Sequence, residues 1–407
     1  MWVLGLSRTI LILCLVFGGG LYSNTFCLDK SVLSVHDLTL EEKVGQLLMP
    51  CFRGLEANED ARVLIQDIKV GGIIYYNWTN DLTSPLQVQS LSEGLQNLTK
   101  SKPIPIPLLI AIDQEGGTVA RLKGSGFTIF PENRALALTG DPEMARQCAY
   151  AIGLELRDVG INMNLAPVVD VNCNPKNPVI GARSFGDNPE TVIIFGRSAL
   201  QGYLQAGVLT TLKHFPGHGD VEVDSHIALP VVNKSKEELE RVELAPFKAL
   251  ASSADAVMTA HLLVPAFDPD YCSTLSEKTL QYLRQTIGFK GVIISDSLTM
   301  DGVLQQVRGD EAKAAIQALK AGCDILLFGE KRLNHTQGIT ELTVMDIKNI
   351  HQALVNAVKT GYIPEERVNQ AVEQVLALKR INQPLGTVPT QRRGDAETLM
   401  VPKSILF

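Results

Sequence analysis

Eight short apolar runs, each followed by a stretch carrying helix-start and helix-stop signals, constrain this chain more than any other feature. They cover residues 46–52, 71–76, 108–112, 161–169, 208–212, 256–260, 292–295 and 325–328. Most are continuous rather than alternating, which is how strands buried on both faces read, and such strands belong to parallel sheets covered by helices. The stretches between them supply those helices. Ser84 and Pro85 open one whose Leu91, Leu95 and Leu98 share a face. Asp141 and Pro142 open another, closed by Gly160, and Ser235 with Glu238 has the spacing of a capping box. Ser276 to Gly288 and Asp310 to Gly322 bound two more, and 346–360 and 364–381 read as the last two. Eight strands alternating with helices predict an α/β fold, a (β/α)8 TIM barrel forming a single catalytic domain over residues 28–381. The same cadence also admits an open doubly wound sheet.

Composition narrows the function classes. The 407 residues carry 45% hydrophobic and 20% charged side chains and a formal net charge of −7. That is enough apolar content for a full core, and it gives no basic face for nucleic acid. A neutral or weakly charged small-molecule partner fits better. Near the start, Arg8 precedes an uncharged apolar run over 10–21, within the roughly 7–15 residues of a signal-peptide core and short of the ~20 that span a bilayer. Residues 1–27 are therefore expected to be an export signal or membrane-targeting segment, placing the protein in the periplasm or at a membrane; a cytoplasmic chain with a buried strand there is the alternative. Cys27 offers a lipid-attachment site, although Asn24, Thr25 and Phe26 lack the small residue usual before one. The seven scattered cysteines, with no C-x-x-C, suggest neither a disulfide framework nor a zinc site. From 382 to 407 the chain turns polar and Pro-bearing and reads as an irregular tail. A monomer is expected.

The chemistry concentrates in KHFPGHGDVEVDSH, Lys213 to His226, which holds three of the seven histidines. An apolar run leads into Lys213 and His214, and Pro216, Gly217 and Gly219 then force a loop. Asp224 and His226 lie two apart; in an extended segment such residues face the same side. An aspartate there can take the imidazole Nδ1 proton, fixing the tautomer and raising the basicity of the other nitrogen, which suits a group that must give a proton and take it back. The other reading of D-S-H is a polar loop making Asx-type turns. In a barrel, catalytic groups gather at the C-terminal strand ends. Five of the runs end in such groups: Asp113, Gln114 and Glu115 with Arg121 following; Asp170 and Asn172 with Arg183 following; Lys213 and His214; His261; and Asp296.

These residues resemble a known family. KHFPGHG followed by DSH is similar to the signature of family 3 glycoside hydrolases, in the NagZ-type branch of bacterial β-N-acetylhexosaminidases. ISDSLTM, IDQEGGTVARL and APVVDVNCNPKNPVIGARSFG resemble further motifs of that family, in its order, across most of 108–300. The resemblance implies a retaining exo-β-N-acetylglucosaminidase acting on peptidoglycan-derived fragments. It assigns Asp296 as nucleophile, Asp224 and His226 as an acid/base dyad, and Asp113, Arg121, Arg183, Lys213 and His214 as sugar-binding residues. It implies no cofactor and no metal. This chain departs from the family form at Thr118, where arginine is usual, and at Ser297, where many members have Asp or Ala. It also lacks the tryptophan that the larger β-glucosidase members carry after the aspartate. Other β-glycosidase activity, or phosphate replacing water as acceptor, stays open, as does a non-catalytic sugar-binding role.

Two further classes fit less well. His214, His218, His226 and His261 with Asp296 could be imagined as metal ligands, but the first apolar run has no histidine, whereas amidohydrolase-type barrels resemble one another in an H-x-H there. Gly124 and Gly126 lack the third glycine and the leading strand of a dinucleotide site.

Overall fold

The computed structural model describes residues 33–101, 105–329, 332–334, 338–340 and 342–381. The expected N-terminal segment 1–27 and tail 382–407 lie outside these residues. All eight apolar runs contain strands: β1 Leu48–Pro50, β2 Gly72–Tyr75, β3 Leu109–Ile112, β4 Met163–Asn164, β5 Leu209–Phe215, β6 Ala256–Thr259, β7 Val292–Ile294 and β8 Leu326–Phe328. Every residue of these strands is buried, in keeping with a parallel sheet covered on both faces.

The fold is an α/β fold with a curled parallel sheet. Strands β2 to β7 form one six-stranded sheet in chain order. Strand β1 pairs in parallel with β8, Leu48 opposite Leu326. A parallel bridge joins Ile294 to Ile325 beside β7 and β8, and the Gly71 N–H before β2 donates to the Leu48 carbonyl at 3.1 Å.

The helices begin where their caps direct. Ser84, Asp141, Asn188 and Asp310 each accept a backbone N–H of the following first turn, and Ser235 with Glu238 and Thr343 with Asp346 form full capping boxes. A buried Asp324 ties the far end of the sheet together, accepting from Arg284 at 2.5 Å, from Arg367 at 2.9 Å and from the Ile293 N–H at 2.9 Å. The five described cysteines outside 1–32 are free, and Cys148, Cys272 and Cys323 are buried. Among the described residues no helix is long and apolar enough to cross a membrane.

Two strands differ from their sequence reading. The run 161–169 yields only a two-residue strand, because Pro167 has no N–H to give the ladder. The segment beyond it still follows its neighbours, with Leu165 N–H to Ile112 carbonyl at 2.8 Å and Val169 N–H to Lys213 carbonyl at 2.9 Å. Strand β5 ends at Phe215, one residue past Lys213 and His214 where its end was expected, and the β5–β6 register shifts between Leu212 and Phe215.

Candidate active site

The site is built on a buried ionic network at the ends of β3 and β5. Asp113 follows β3 directly, and the chain then folds into a small hairpin, Gln114–Gly116 against Val119–Ala120, that returns Arg121 to it. The Asp113 carboxylate accepts from Lys213 Nζ at 2.8 Å and from Arg121 Nη2 at 3.3 Å. Glu115 accepts a two-pronged contact from Arg183, Nε and Nη2 both at 2.9 Å, and from Lys213 Nζ at 2.7 Å. Lys213 is only 2% exposed, so it bridges two carboxylates away from water. Burial opposes ionisation of both acids, but the cations win. Lys213 and Arg121 hold Asp113 below the ordinary carboxylate range, and Arg183 with Lys213 brings Glu115 to about 2. Burial also opposes the Lys213 charge, and the two carboxylates outweigh it, raising its pKa.

A second carboxylate centre lies at Asp170, fully buried beyond β4. It accepts the His214 backbone N–H at 3.1 Å, the His214 Nδ1 proton at 2.6 Å and the His218 N–H at 2.7 Å. That contact sets the His214 tautomer, leaving Nε2 as the acceptor that faces Arg183 Nη2 at 3.4 Å.

The loop after β5 carries the dyad candidates. Gly219 passes so close to the Val171 carbonyl that a Cβ would sit 1.7 Å from its oxygen, so no larger residue could follow this path. Asp224 Oδ1 accepts both the His226 N–H at 2.9 Å and the His226 Nδ1 proton at 2.7 Å. The expected contact therefore exists, but its cause differs from the expectation. Residues 224–228 form a turn, with the Ile227 and Ala228 N–H groups on the Asp224 carbonyl, rather than an extended segment. The Asx-type turn and the Nδ1 contact are one arrangement. The hydrogen bond from His226 is the main cause that lowers the Asp224 pKa.

Asp296 follows β7 by one residue and is half-buried. Its N–H donates to Thr259 Oγ1 at 3.3 Å, and its Oδ1 accepts the Ser297 N–H at 2.8 Å. Burial raises its pKa, yet the imidazoles of His261, His214 and His226 outweigh this and the net shift is downward. The Ser297 side chain points elsewhere: its Oγ accepts the Gly329 N–H at 3.2 Å and pairs with Thr299 Oγ1 at 2.9 Å.

One cavity of about 130 Å³ gathers these groups. Its lining includes Asp113, Arg121, Arg183, Lys213, His214, His226 and Asp296, with Asp224 bonded to His226 outside the lining. A carboxylate held ionised and an imidazole steered by a second carboxylate thus face one small polar space.

A candidate metal position lies outside this cavity. Cys173, Asp220 and Glu243 bring ligand atoms within 4.8 Å of one another, the sole such grouping among the described residues. Lys234 Nζ already binds Asp220 at 2.6 Å and Glu243 at 2.5 Å, so the cluster carries its own cation.

With this geometry in view, residues 39–378 match the family described as Glycosyl hydrolase family 3 N terminal domain. The chain belongs to glycoside hydrolase family 3. It is 34% identical to Beta-hexosaminidase A of Pseudoalteromonas piscicida, over 88% of this chain and 66% of that protein. It is 36% identical to a Beta-hexosaminidase of Pseudomonas aeruginosa, over 70% of this chain and 82% of that one. Its fold resembles a family 3 β-N-acetylglucosaminidase from Paenibacillus sp. str. FPU-7, with a TM-score of 0.80 and 45% identity, covering 88% of this chain and 65% of that chain. The chain thus spans about two thirds of the length of the Pseudoalteromonas and Paenibacillus family 3 proteins.

Several site residues of this family 3 chain were not assigned a role from sequence. Glu115 and Asp170 stood out as strand-end acids, but their tasks depend on partners 68 and 44 positions away. Tyr76 lines the cavity and stacks on Trp78 at 4.3 Å, and the Arg121 guanidinium lies 5.2 and 5.0 Å from their rings. The signal was the Tyr76-Asn77-Trp78 run just past β2, read only as the end of an apolar stretch.

Proposed function

We propose that this chain is a retaining exo-β-N-acetylglucosaminidase that removes terminal β-linked N-acetylglucosamine from peptidoglycan-derived fragments. The observation that carries the reading is the single cavity lined by both Asp296 and the Asp224-bound His226. Asp296, ionised, attacks the anomeric carbon as the bond to the leaving oxygen breaks, and a covalent glycosyl-enzyme forms. His226 gives its Nε2 proton to that oxygen. Water then enters, gives a proton to the same nitrogen and attacks the anomeric carbon, releasing Asp296 and a sugar of retained configuration. Asp224 steadies the imidazolium charge at each proton transfer.

Asp113, Arg121, Arg183, Lys213 and His214 hold the sugar, with Asp113 accepting from hydroxyls and the guanidinium groups donating. The acetamido preference is supported by the relatives named for hexosaminidase and β-N-acetylglucosaminidase activity. In this reading the eight strands close into a complete (β/α)8 barrel as one catalytic domain, and the protein is an exported monomer. The N-terminal segment directs it to the periplasm or a membrane. Incubation with a chromogenic N-acetyl-β-glucosaminide, followed by NMR of the first-formed anomer, tests the activity. Release of the β-anomer supports it; release of the α-anomer, or no turnover beside ordinary sugar binding, defeats it.

A further inference from the structure

The dyad sits on a turn whose side chains are about a third exposed, 33% for His226 and 31% for Asp224. Asp224 fixes the ring relative to itself, in a contact local to the turn. The residue between them is anchored differently. Ser225 is 1% exposed, its Oγ lies 2.9 Å from His218 Nε2, and its carbonyl accepts the Gly302 N–H at 3.1 Å. A Cβ on residue 302 would come within 2.6 Å of that carbonyl oxygen, so the close approach requires glycine. Ser225 is thereby held from two sides, by its side chain against the loop's own root and by its backbone against the segment that follows Asp296.

His218 is itself fixed. It is 1% exposed, and its N–H donates to Asp170, the same carboxylate that orients His214. Burial is the main cause that lowers its pKa to about 4, so the ring is neutral in the working range. Its Nδ1 is buried and meets no hydrogen-bonding partner among the described residues. Burying an imidazole with one nitrogen unpaired is costly, and an apolar side chain would fill the space without that cost. What distinguishes His218 from a filler is therefore the atom at the other end of the ring.

We infer that His218 is a positioning residue for the acid/base pair, latching Ser225 through Nε2 and so setting where His226 stands relative to Asp296. The inference rests on His226 being the proton donor of the proposed reaction. Asp170 then serves two parts of the site at once, aligning the sugar-binding His214 and the latch that aligns the dyad.

The test is a double-variant cycle of Ser225→Ala and His218→Leu, assayed with N-acetylglucosaminides whose leaving groups run from an acidic dinitrophenol to a simple alcohol. Each single variant is expected to lose about tenfold to a hundredfold in kcat/KM for the alcohol, the value of one buried hydrogen bond. The loss for the dinitrophenyl substrate, which needs little protonation, should be much smaller. The double variant should be no worse than the poorer single, and His218→Gln, which keeps a hydrogen-bonding atom near the Nε2 position, should retain most activity. Additive losses, or equal losses on both substrates, overturn the latch. His226→Ala measured alongside separates the two ideas: equal losses in that variant defeat the acid/base reading itself. Amide exchange over residues 220–228 then decides the latch independently, faster exchange in both variants supporting it and unchanged exchange refuting it.

Discussion

Replacing Lys213 by Met should be among the most damaging single changes in the chain, and for a reason that depends on pH. The substitution removes the cation that binds Asp113 at 2.8 Å and Glu115 at 2.7 Å while leaving both acids in place. At an effective dielectric constant of about 20, each contact represents roughly 6 kcal/mol of gross Coulomb attraction. Desolvation cancels much of that, and removing one partner of a buried pair costs about 3–5 kcal/mol net. The midpoint, about 4 kcal/mol, is roughly a thousandfold in the folding equilibrium. In the parent protein both acids titrate below their unfolded values, so their contribution is full above the ordinary carboxylate range and is lost only as pH falls through the depressed values. Without Lys213 the effect of burial is less opposed and both values move up. The variant's deficit should therefore shrink as pH falls from 7.5 to 5. Urea denaturation of parent and variant at the two pH values measures it. A deficit below about 1 kcal/mol, or one that does not change with pH, would refute this account of the network.

Three other outcomes are expected. Asp224→Asn keeps an oxygen for the imidazole Nδ1 proton but removes the charge, so kcat should fall about 10²-fold, most for poor leaving groups, in steady-state assays. Ser297→Ala should cost about 1–3 kcal/mol in urea denaturation by stranding the buried Gly329 N–H, with a smaller effect on kcat/KM because the backbone contact to Asp296 remains. In inorganic phosphate the product should be free N-acetylglucosamine, and mass detection of a sugar 1-phosphate would show that phosphate replaces water as acceptor.

Much of the strand order was legible because parallel strands buried on both faces need continuous apolar runs, and Gln46 to Phe328 supplies eight of them. The polar residues at their ends could be picked out because a parallel sheet delivers all such ends to one rim. The pairings could not be. Glu115 meets Arg183 and Lys213 only after three strands are side by side, and nothing local to any of them signals it. The end of β5 was legible to within one residue, because Pro216 stops the ladder just past Lys213 and His214, at Phe215. The dyad contact was anticipated but attributed to extended backbone; the turn over 224–228 shows that a local Asx arrangement suffices. His218 carried no sign of its contact with Ser225, since a seven-residue separation in an irregular loop implies no geometry.

The central claim is that Asp296 bonds covalently to the sugar while His226 manages the proton. Mass spectrometry after incubation with a slow-releasing fluorinated N-acetylglucosaminide tests it most directly. One added sugar is expected, mapped to the peptide containing Asp296 and missing from Asp296→Ala. Labelling that persists in Asp296→Ala, or that maps to another residue, would contradict it.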